Sequence, residues 1–213
     1  GLMHGNNLSL DTCALTEPLA IGAHSIRRAA INEGNFVLVI GAGPIGLAVM
    51  NFAAIAGADV IALETNEKRL SVCKNVFGYT NIINAKDGNI KEQLMEITRG
   101  NMPEIVLDAT GNLNAINNAS ELMAHGGKFI LVGLQNEQIS FSNPEFHNRE
   151  GTLMRRRNAT RTGFEYVIDC LEKKLILPEN FITHHTTFDK VKEEFPTWMN
   201  ADNGVIKAIV EMN

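Results

Sequence analysis

The residues best suited to chemistry form a glycine-rich turn in the first quarter of the sequence. Three glycines stand at GxGxxG spacing, directly after the apolar run Phe36–Ile40 and directly before an apolar segment of helix length. In such a strand–turn–helix unit, the first glycine permits the tight turn, the second lets a diphosphate approach the backbone, and the third lets the helix pack closely on the strand. The start of the helix adds free N–H groups and the positive end of its dipole. We therefore predict that a dinucleotide binds at Gly41, Gly43, Pro44, Ile45 and Gly46.

An acidic residue follows where a dinucleotide site needs one. Glu64 comes at the end of the second apolar run, Asp59–Leu63. A carboxylate at this place accepts hydrogen bonds from the ribose hydroxyls and repels a 2′-phosphate, which favours NAD over NADP. Lys68 and Arg69 lie just downstream and could serve a phosphate, so acceptance of NADP stays open. Arg69 is interpreted either as a cover over the adenine or as a solvated helix residue.

The rest of the chain alternates apolar runs of strand length with segments of helical periodicity. Apolar runs without polar alternation are typical of parallel strands that are covered on both faces. We predict strands at 36–40, 59–63, 81–84, 104–109 and 128–132, an edge strand at 152–155, and helices at 18–31, 44–56, 66–77, 89–98, 112–124 and 160–173. This order favours an α/β fold with a doubly wound parallel sheet (Rossmann) of about six strands. A polar connection over 134–151 and a C-terminal strand–helix–strand tail, at 182–187, 189–199 and 204–211, complete the prediction.

The composition is that of a folded protein without attraction for polyanions. Of the 213 residues, 45% are hydrophobic and 20% are charged, which excludes global disorder. The net charge of −5 argues against partners such as nucleic acid or an anionic membrane. No apolar segment reaches the roughly 18 residues of a membrane span. Cys13, Cys73 and Cys170 lie far apart, so we expect buried thiols rather than disulfides, and a reducing, cytoplasmic location.

Taken together, these residues resemble the zinc-type medium-chain alcohol dehydrogenases, particularly their polyol, threonine and sugar-acid branch. The resemblance runs from about Leu15 to the end of the chain. Its motifs are Glu17-Pro18-Leu19-Ala20, the run from Val39 to Gly46, Asp108-Ala109-Thr110-Gly111, Gly126-Gly127 with Val132-Gly133, Arg157-Asn158-Ala159 and Ile182-Thr183-His184. The resemblance implies an NAD-dependent oxidoreductase that oxidises a secondary hydroxyl of a polyol, sugar acid or related alcohol with the help of zinc.

The chain departs from that family in one respect. Members of the family carry, ahead of the segment that matches Glu17, a GroES-like catalytic domain with a Cys and a His-Glu pair for catalytic zinc. A catalytic zinc needs three protein ligands, and no cluster in this sequence supplies them. We therefore expect a coenzyme domain that binds NAD without turnover: residues 1–30 lead from the missing domain, 31–180 form the NAD-binding domain, and 181–213 return to the missing domain.

The resemblance also assigns roles to residues outside the glycine turn. Thr110 and Gly111 after the fourth strand, and Val132 and Gly133 at the end of the fifth, are implied to line the coenzyme. The carboxyl ends of parallel strands are where ligands bind in such sheets, which agrees with this assignment. Asp108, just before them, is interpreted either as part of the site or as an acid that caps the turn.

Two further residues are implied to stand near the substrate. Glu17 would lie beside the catalytic zinc, although a charge near the start of a helix is an equal interpretation. Arg155, in the run Arg155-Arg156-Arg157, would bind a substrate carboxylate, with a solvated strand edge as the alternative. His184 and His185 are adjacent on a predicted strand and so point to opposite faces, which argues against a metal pair. No metal ligand set is therefore predicted within the chain.

Other functions share some of these features. A non-catalytic nucleotide-binding module would have the same glycine turn, and a methyltransferase that uses S-adenosylmethionine also has a glycine-rich first loop and an acid after the second strand. The expected partners are a small-molecule alcohol, polyol or sugar acid and, by the resemblance, a second copy of the chain. That copy would pair through the edge strand of the sheet, near 129–155.

Overall fold

The computed structural model describes residues 8–156 and 158–212. Its centre is a six-stranded parallel sheet in the order β3-β2-β1-β4-β5-β6. The strands are β1 (Phe36–Ile40), β2 (Asp59–Glu64), β3 (Asn81–Asn84), β4 (Ile105–Asp108), β5 (Lys128–Leu131) and β6 (Thr152–Arg155). The prediction of a doubly wound α/β sheet of about six strands is confirmed, including the edge strand at 152–155.

Eight α-helices connect and cover the strands of the described chain. They are α1 (Leu10–Ala29), α2 (Pro44–Ile55), α3 (Glu67–Asn75), α4 (Ile90–Ile97), α5 (Leu113–Ala119), α6 (Asn143–Asn148), α7 (Arg161–Glu172) and α8 (Val191–Trp198). The short helix α6 lies within the connection for which the sequence predicted no element. Ser142 caps it and Pro144 occupies its first turn, a local signal that outweighs the polar composition.

Alternate residues of each strand enter two separate cores, one on each face of the sheet. Val37 and Val39 pack with α1, α2 and α7, whereas Leu38 and Ile40 pack with α4 and α5. Burial on both faces explains why the sequence of β1 is apolar throughout.

The first helix is longer than predicted and crosses α2 closely. Ser9 caps α1 by accepting a hydrogen bond from the Thr12 N–H at 3.2 Å, so the predicted start at Pro18 is wrong. A Pro usually opens a helix, but here Pro18 lies inside one. Where α1 meets α2, a Cβ on Gly22 would stand 2.8 Å from the carbonyl carbon of Ala48, which shows how near the two backbones come.

The C-terminal tail forms a second, small sheet. Strands β7 (Ile182–Thr187) and β8 (Lys207–Glu211) pair in parallel, with α8 between them in the chain. This confirms the predicted strand–helix–strand tail. Across the described residues, every helix is too short or too polar to cross a membrane.

Candidate functional site

A cleft of about 560 Å³ opens at the carboxyl ends of the central strands. Its lining includes Ile40 and Gly41 after β1, Glu64 at the end of β2, and Thr110 after β4. Because β2 and β4 flank β1 on opposite sides, the sheet order reverses here. A reversal of this kind is where doubly wound sheets bind their ligands.

The glycine turn forms one wall of the cleft, and its three glycines are constrained differently. Gly41 has a φ of +96°, and a Cβ there would approach Thr110 Cγ2 to 2.7 Å. A Cβ on Gly46 would collide with the carbonyl oxygen of Gly41. A Cβ on Gly43 would meet only the guanidinium of Arg69, at 3.9 Å. The turn and the packing therefore require the first and third glycines, whereas the second leaves its backbone open to the cleft.

The start of α2 faces the same opening. Gly43 occupies the cap position of α2 without a side-chain hydrogen bond to the first turn, and Pro44 is the first helical residue. Ile45 and Gly46 complete that turn. An uncapped helix start of this kind offers backbone N–H groups and a positive partial charge to an anion such as a diphosphate.

Glu64 is buried and connects the end of β2 with the glycine turn. One carboxylate oxygen accepts the Ala42 N–H at 2.8 Å, and the other accepts the N–H groups of Thr65 at 2.7 Å and Asn66 at 3.0 Å. Burial alone would raise the pKa of Glu64, but these backbone hydrogen bonds and the charge of Arg69 outweigh it, so the pKa lies below its ordinary value. The side chain is therefore ionised at neutral pH, and a carboxylate only accepts hydrogen bonds, which suits it to the hydroxyl groups of a ribose.

Arg69 lies above this arrangement and lines the cleft. Its guanidinium is 3.8 Å from the Glu64 carboxylate. Asn66 caps the helix that carries Arg69, since its side-chain oxygen accepts the N–H groups of Lys68 and Arg69 at 2.9 and 3.2 Å. The cap fixes the direction in which α3 leaves the cleft.

The opposite wall follows β4. Asp108 is fully buried and accepts hydrogen bonds from the Thr110 N–H at 3.2 Å, the Thr110 hydroxyl at 2.5 Å and the Gly111 N–H at 3.1 Å. Asp108 therefore caps the turn that follows β4, as one of its two interpretations predicted. Gly133 packs against Gly111 so closely that a Cβ on Gly133 would overlap the Gly111 backbone. Two of the predicted coenzyme residues thus touch each other.

A second cleft, of about 390 Å³, lies past the ends of β5 and β6. It brings together Glu17 from α1, Val132 and Gly133 after β5, and Arg155 from β6. These four residues were predicted to serve the coenzyme and the substrate, and the structure places them around one opening although they are far apart in the sequence.

Arg156 is a residue of this second cleft that the sequence did not single out from the arginine run. Its Nε atom is buried and has no hydrogen-bond partner among the described residues. Burial lowers the pKa of Arg156, and the charge of Glu17 acts in the opposite direction. The third arginine of the run, at position 157, lies outside the described residues. Both Arg155 and Arg156 line the cleft, and no local signal in the sequence shows that the Nε atom of Arg156 is the buried one, because its burial depends on the elements packed around the end of β6.

The histidine pair lies elsewhere. On β7, Nδ1 of His185 is 3.5 Å from the carboxylate of Glu211 and 3.9 Å from that of Asp11. Within 8–156 and 158–212, no three His, Cys, Asp or Glu side chains are grouped so that they could hold a metal ion.

Comparison with known protein sequences identifies the family to which this chain belongs. The sequence profile described as zinc-binding dehydrogenase matches residues 44–173, and the chain belongs to that family. The L-galactonate-5-dehydrogenase of Escherichia coli K12 is 34% identical over 209 residues, which are 98% of this chain and 61% of that protein. The D-xylulose reductase of Scheffersomyces stipitis is 30% identical over 97% of this chain and 59% of its own length.

Solved structures agree with the fold. An alcohol dehydrogenase of E. coli CFT073, crystallised with NADH, superposes with a TM-score of 0.88 at 25% identity, covering 97% of this chain and 61% of that one. The 2R,3R-butanediol dehydrogenase of Bacillus subtilis gives a TM-score of 0.89 at 20% identity, covering 98% of this chain and 59% of that one. The chain thus spans about 60% of the length of the proteins that it matches.

Proposed function

We propose that this chain binds NAD in the cleft at the ends of β1, β2 and β4. The observation that carries the proposal is the contrast among the three glycines: packing excludes a side chain at positions 41 and 46, whereas position 43 faces open space beside an uncapped helix start. A fold that needed glycine only for packing would have no reason to leave Gly43 bare. A buried, ionised carboxylate at Glu64 adds the ribose partner.

In this arrangement each residue has a defined task. The backbone at Gly43 and the first turn of α2, including Ile45, hold the diphosphate, while Arg69 covers the adenosine end. Thr110 lines this cleft, Val132 and Gly133 line the second one, where the nicotinamide would meet a substrate, and Gly111 contacts Gly133. The coenzyme supplies the hydride acceptor, and the protein contributes binding and orientation.

We infer that the reaction served is the oxidation of a secondary hydroxyl of a polyol, sugar acid or related alcohol. The support is the presence of Glu17, Arg155 and Arg156 around the second cleft, since guanidinium groups bind carboxylates in a bidentate manner. A relative named for an oxidation of galactonate, a sugar acid, agrees with this choice.

Zinc is expected for the family, but the described residues do not form a site for it. Glu17 stands in the second cleft without the further ligands that a catalytic zinc requires. We therefore assign no step of this chain to zinc and propose that the chain alone binds NAD without oxidising an alcohol.

The substitution Gly43→Ala tests the proposal directly. Gly43 has a φ of −76°, which alanine adopts freely, and its nearest neighbour leaves ordinary space, so the fold should be retained. The added methyl group occupies the place of the diphosphate, and we expect the affinity for NADH to fall by about tenfold or more. Nicotinamide fluorescence on titration measures the affinity, and thermal unfolding checks the fold.

Two outcomes would contradict the proposal. Equal NADH affinity in the variant and the parent would show that the diphosphate does not bind at Gly43. Binding of S-adenosylmethionine alone would favour a methyltransferase. Alcohol oxidation by the purified chain with added zinc would leave the NAD site in place but overturn the statement that the chain alone does not turn over.

A further inference from the structure

A turn from the C-terminal tail reaches the start of α3. The turn Ala201–Asn203 follows α8, and the backbone carbonyl of Asp202 accepts a hydrogen bond from Lys68 Nζ at 2.6 Å. The Asp202 carboxylate lies 3.5 Å from the side-chain nitrogen of Asn66. These are contacts between parts of the chain that are more than 130 residues apart.

Asn66 places this turn next to the adenosine end of the candidate coenzyme site. The Asn66 N–H donates to the Glu64 carboxylate at 3.0 Å, while the Asn66 side chain donates to Asp202. Thr65 on one side and Arg69 on the other line the cleft. Two carboxylates, one of them from a distant segment, are therefore joined through a single asparagine.

A 2′-phosphate on the adenine ribose would need a cation at this place. The guanidinium of Arg69 already faces a carboxylate, since it lies 3.8 Å from Glu64. Lys68 is the other cation, and its ammonium group is held at the residue that carries the Asp202 carboxylate. Within the described chain, Arg69 therefore faces the Glu64 carboxylate, and Lys68 binds the backbone of a residue that carries a second carboxylate.

We propose that Asp202 determines coenzyme choice together with Glu64. Its carboxylate, bonded to the Asn66 side chain, adds negative charge near Lys68 and near the ribose 2′ position, which disfavours a 2′-phosphate. This inference rests on the proposed binding of NAD and extends it, because it assigns specificity to a tail residue that no glycine-turn motif includes.

The position of the turn does not depend on the Asp202 side-chain charge. The Asp202 N–H donates to the side chain of Asn200 at 3.0 Å, and the Asn203 side chain donates to the Thr197 carbonyl at 2.6 Å. Lys68 binds the backbone carbonyl of Asp202 rather than its carboxylate. Asp202→Asn should therefore remove one charge and leave the turn and its hydrogen bonds in place.

The experiment compares NADH and NADPH binding to the full 213-residue chain by fluorescence titration. We expect Asp202→Asn to raise the affinity for NADPH relative to NADH by about two- to fivefold, the size of an exposed charge interaction. The gain should be largest at low ionic strength, since salt screens such charges. Adding Lys68→Gln to Asp202→Asn should cancel the gain, because Lys68 is then no longer present to attract the phosphate.

The matched control is Glu172→Gln, which removes one exposed acid at the end of α7, outside both clefts. An unchanged NADPH:NADH ratio in Asp202→Asn, a gain equal to that of Glu172→Gln, or a gain that survives Lys68→Gln would overturn the inference while NADH binding stands. Absence of NADH binding to the parent chain would instead overturn the proposed function itself.

Discussion

At the scale of the single residue, Glu64 has two roles. Its position after β2 predicted a ribose partner from the sequence alone. The structure adds that its carboxylate also accepts the Ala42 N–H and so holds the glycine turn against the end of β2. This second task could not be predicted, because it depends on how β1 and β2 align in the sheet.

The double role predicts a pH-dependent loss of stability in Glu64→Gln. An amide would turn an N–H toward backbone donors, and we expect the free energy of unfolding at pH 7 to fall by about 1–3 kcal/mol. The native pKa lies below the ordinary value of 4.5, so the carboxylate stabilises the fold above that pH and loses this contribution as pH falls through the native pKa. Urea unfolding of the variant and parent at pH 7, 6, 5 and 3 measures the difference.

The difference should be constant between pH 7 and 6 and should shrink toward pH 3. Glu172→Gln, an exposed acid, serves as control and should change stability little at any pH. A difference that grows on acidification would show that the native carboxylate is not stabilised in its ionised form.

Residues in and around the two clefts show which contacts could not be predicted from the sequence. Glu17 and Arg155 were predicted from motifs, and the structure brings them together. Arg156 and Asp202 were not predicted, since neither belongs to a motif with a fixed spacing. Arg156 follows β6 and Asp202 lies in a turn of the C-terminal tail, and both are distant in sequence from the residues that they approach.

At the scale of the element, periodicity predicted every strand of the central sheet and failed mainly at α1 and α6. Continuous apolar runs are readily recognised as central strands, because both of their faces must be buried. The start of α1 depends on the Ser9 cap, and Pro18 suggested a later beginning. Local capping, unlike periodicity, involves only one or two residues and is easily overlooked.

Replacement of glycine by alanine should change the stability in opposite directions at Gly22, where α1 crosses α2, and at Gly163 in α7. Gly22→Ala would press a methyl group onto the Ala48 backbone at 2.8 Å, and we expect a loss of stability of about 1–3 kcal/mol. Gly163→Ala, in the first turn of α7, meets only Thr160 Oγ1 at 3.6 Å and should stabilise by up to about 1 kcal/mol, since alanine favours helix. Thermal unfolding of both variants measures the contrast, and a loss in both would mean that α7 is packed more tightly than the structure shows.

At the scale of the whole molecule, the cysteines report on global unfolding. Burial, and next the charge of Glu64, raise the pKa of Cys73 to about 12, and burial also raises the pKa of Cys170. Both thiols are buried, as the sequence predicted, whereas Cys13 is half-buried. In a Cys13→Ser variant at pH 8, we expect thiol labelling to proceed only through unfolded molecules.

Coenzyme should then protect these thiols. With NADH at 100 times its dissociation constant, native molecules are stabilised by about 2.7 kcal/mol, and labelling should slow by about 100-fold. Protection without NADH binding, or labelling at an unchanged rate with saturating NADH, would contradict this linkage.

The edge of the sheet predicts how two copies of the chain could meet. Leu153 on β6 is exposed to 37%, and apolar residues on an exposed edge strand promote pairing with another strand. If the chain pairs through β6, Leu153→Lys should shift it toward monomer in sedimentation. Leu175→Lys changes an exposed leucine outside the strands and should leave the sedimentation unchanged. An equal shift in both variants would show that the two copies do not pair through β6.

The pairing of β1 with β4 also determines at which stage of folding the cleft forms. Val37 pairs with Ile105, and the chain between them contains β2, β3 and the helices that follow them. Such a pairing closes a long loop and is slow compared with the formation of the β1–α2–β2 unit. A refolding or growing chain therefore completes its glycine turn well before Thr110 arrives opposite it. The glycine-turn wall of the cleft therefore forms early, but we expect the chain to bind the coenzyme only in the last phase of folding, when β4 pairs with β1.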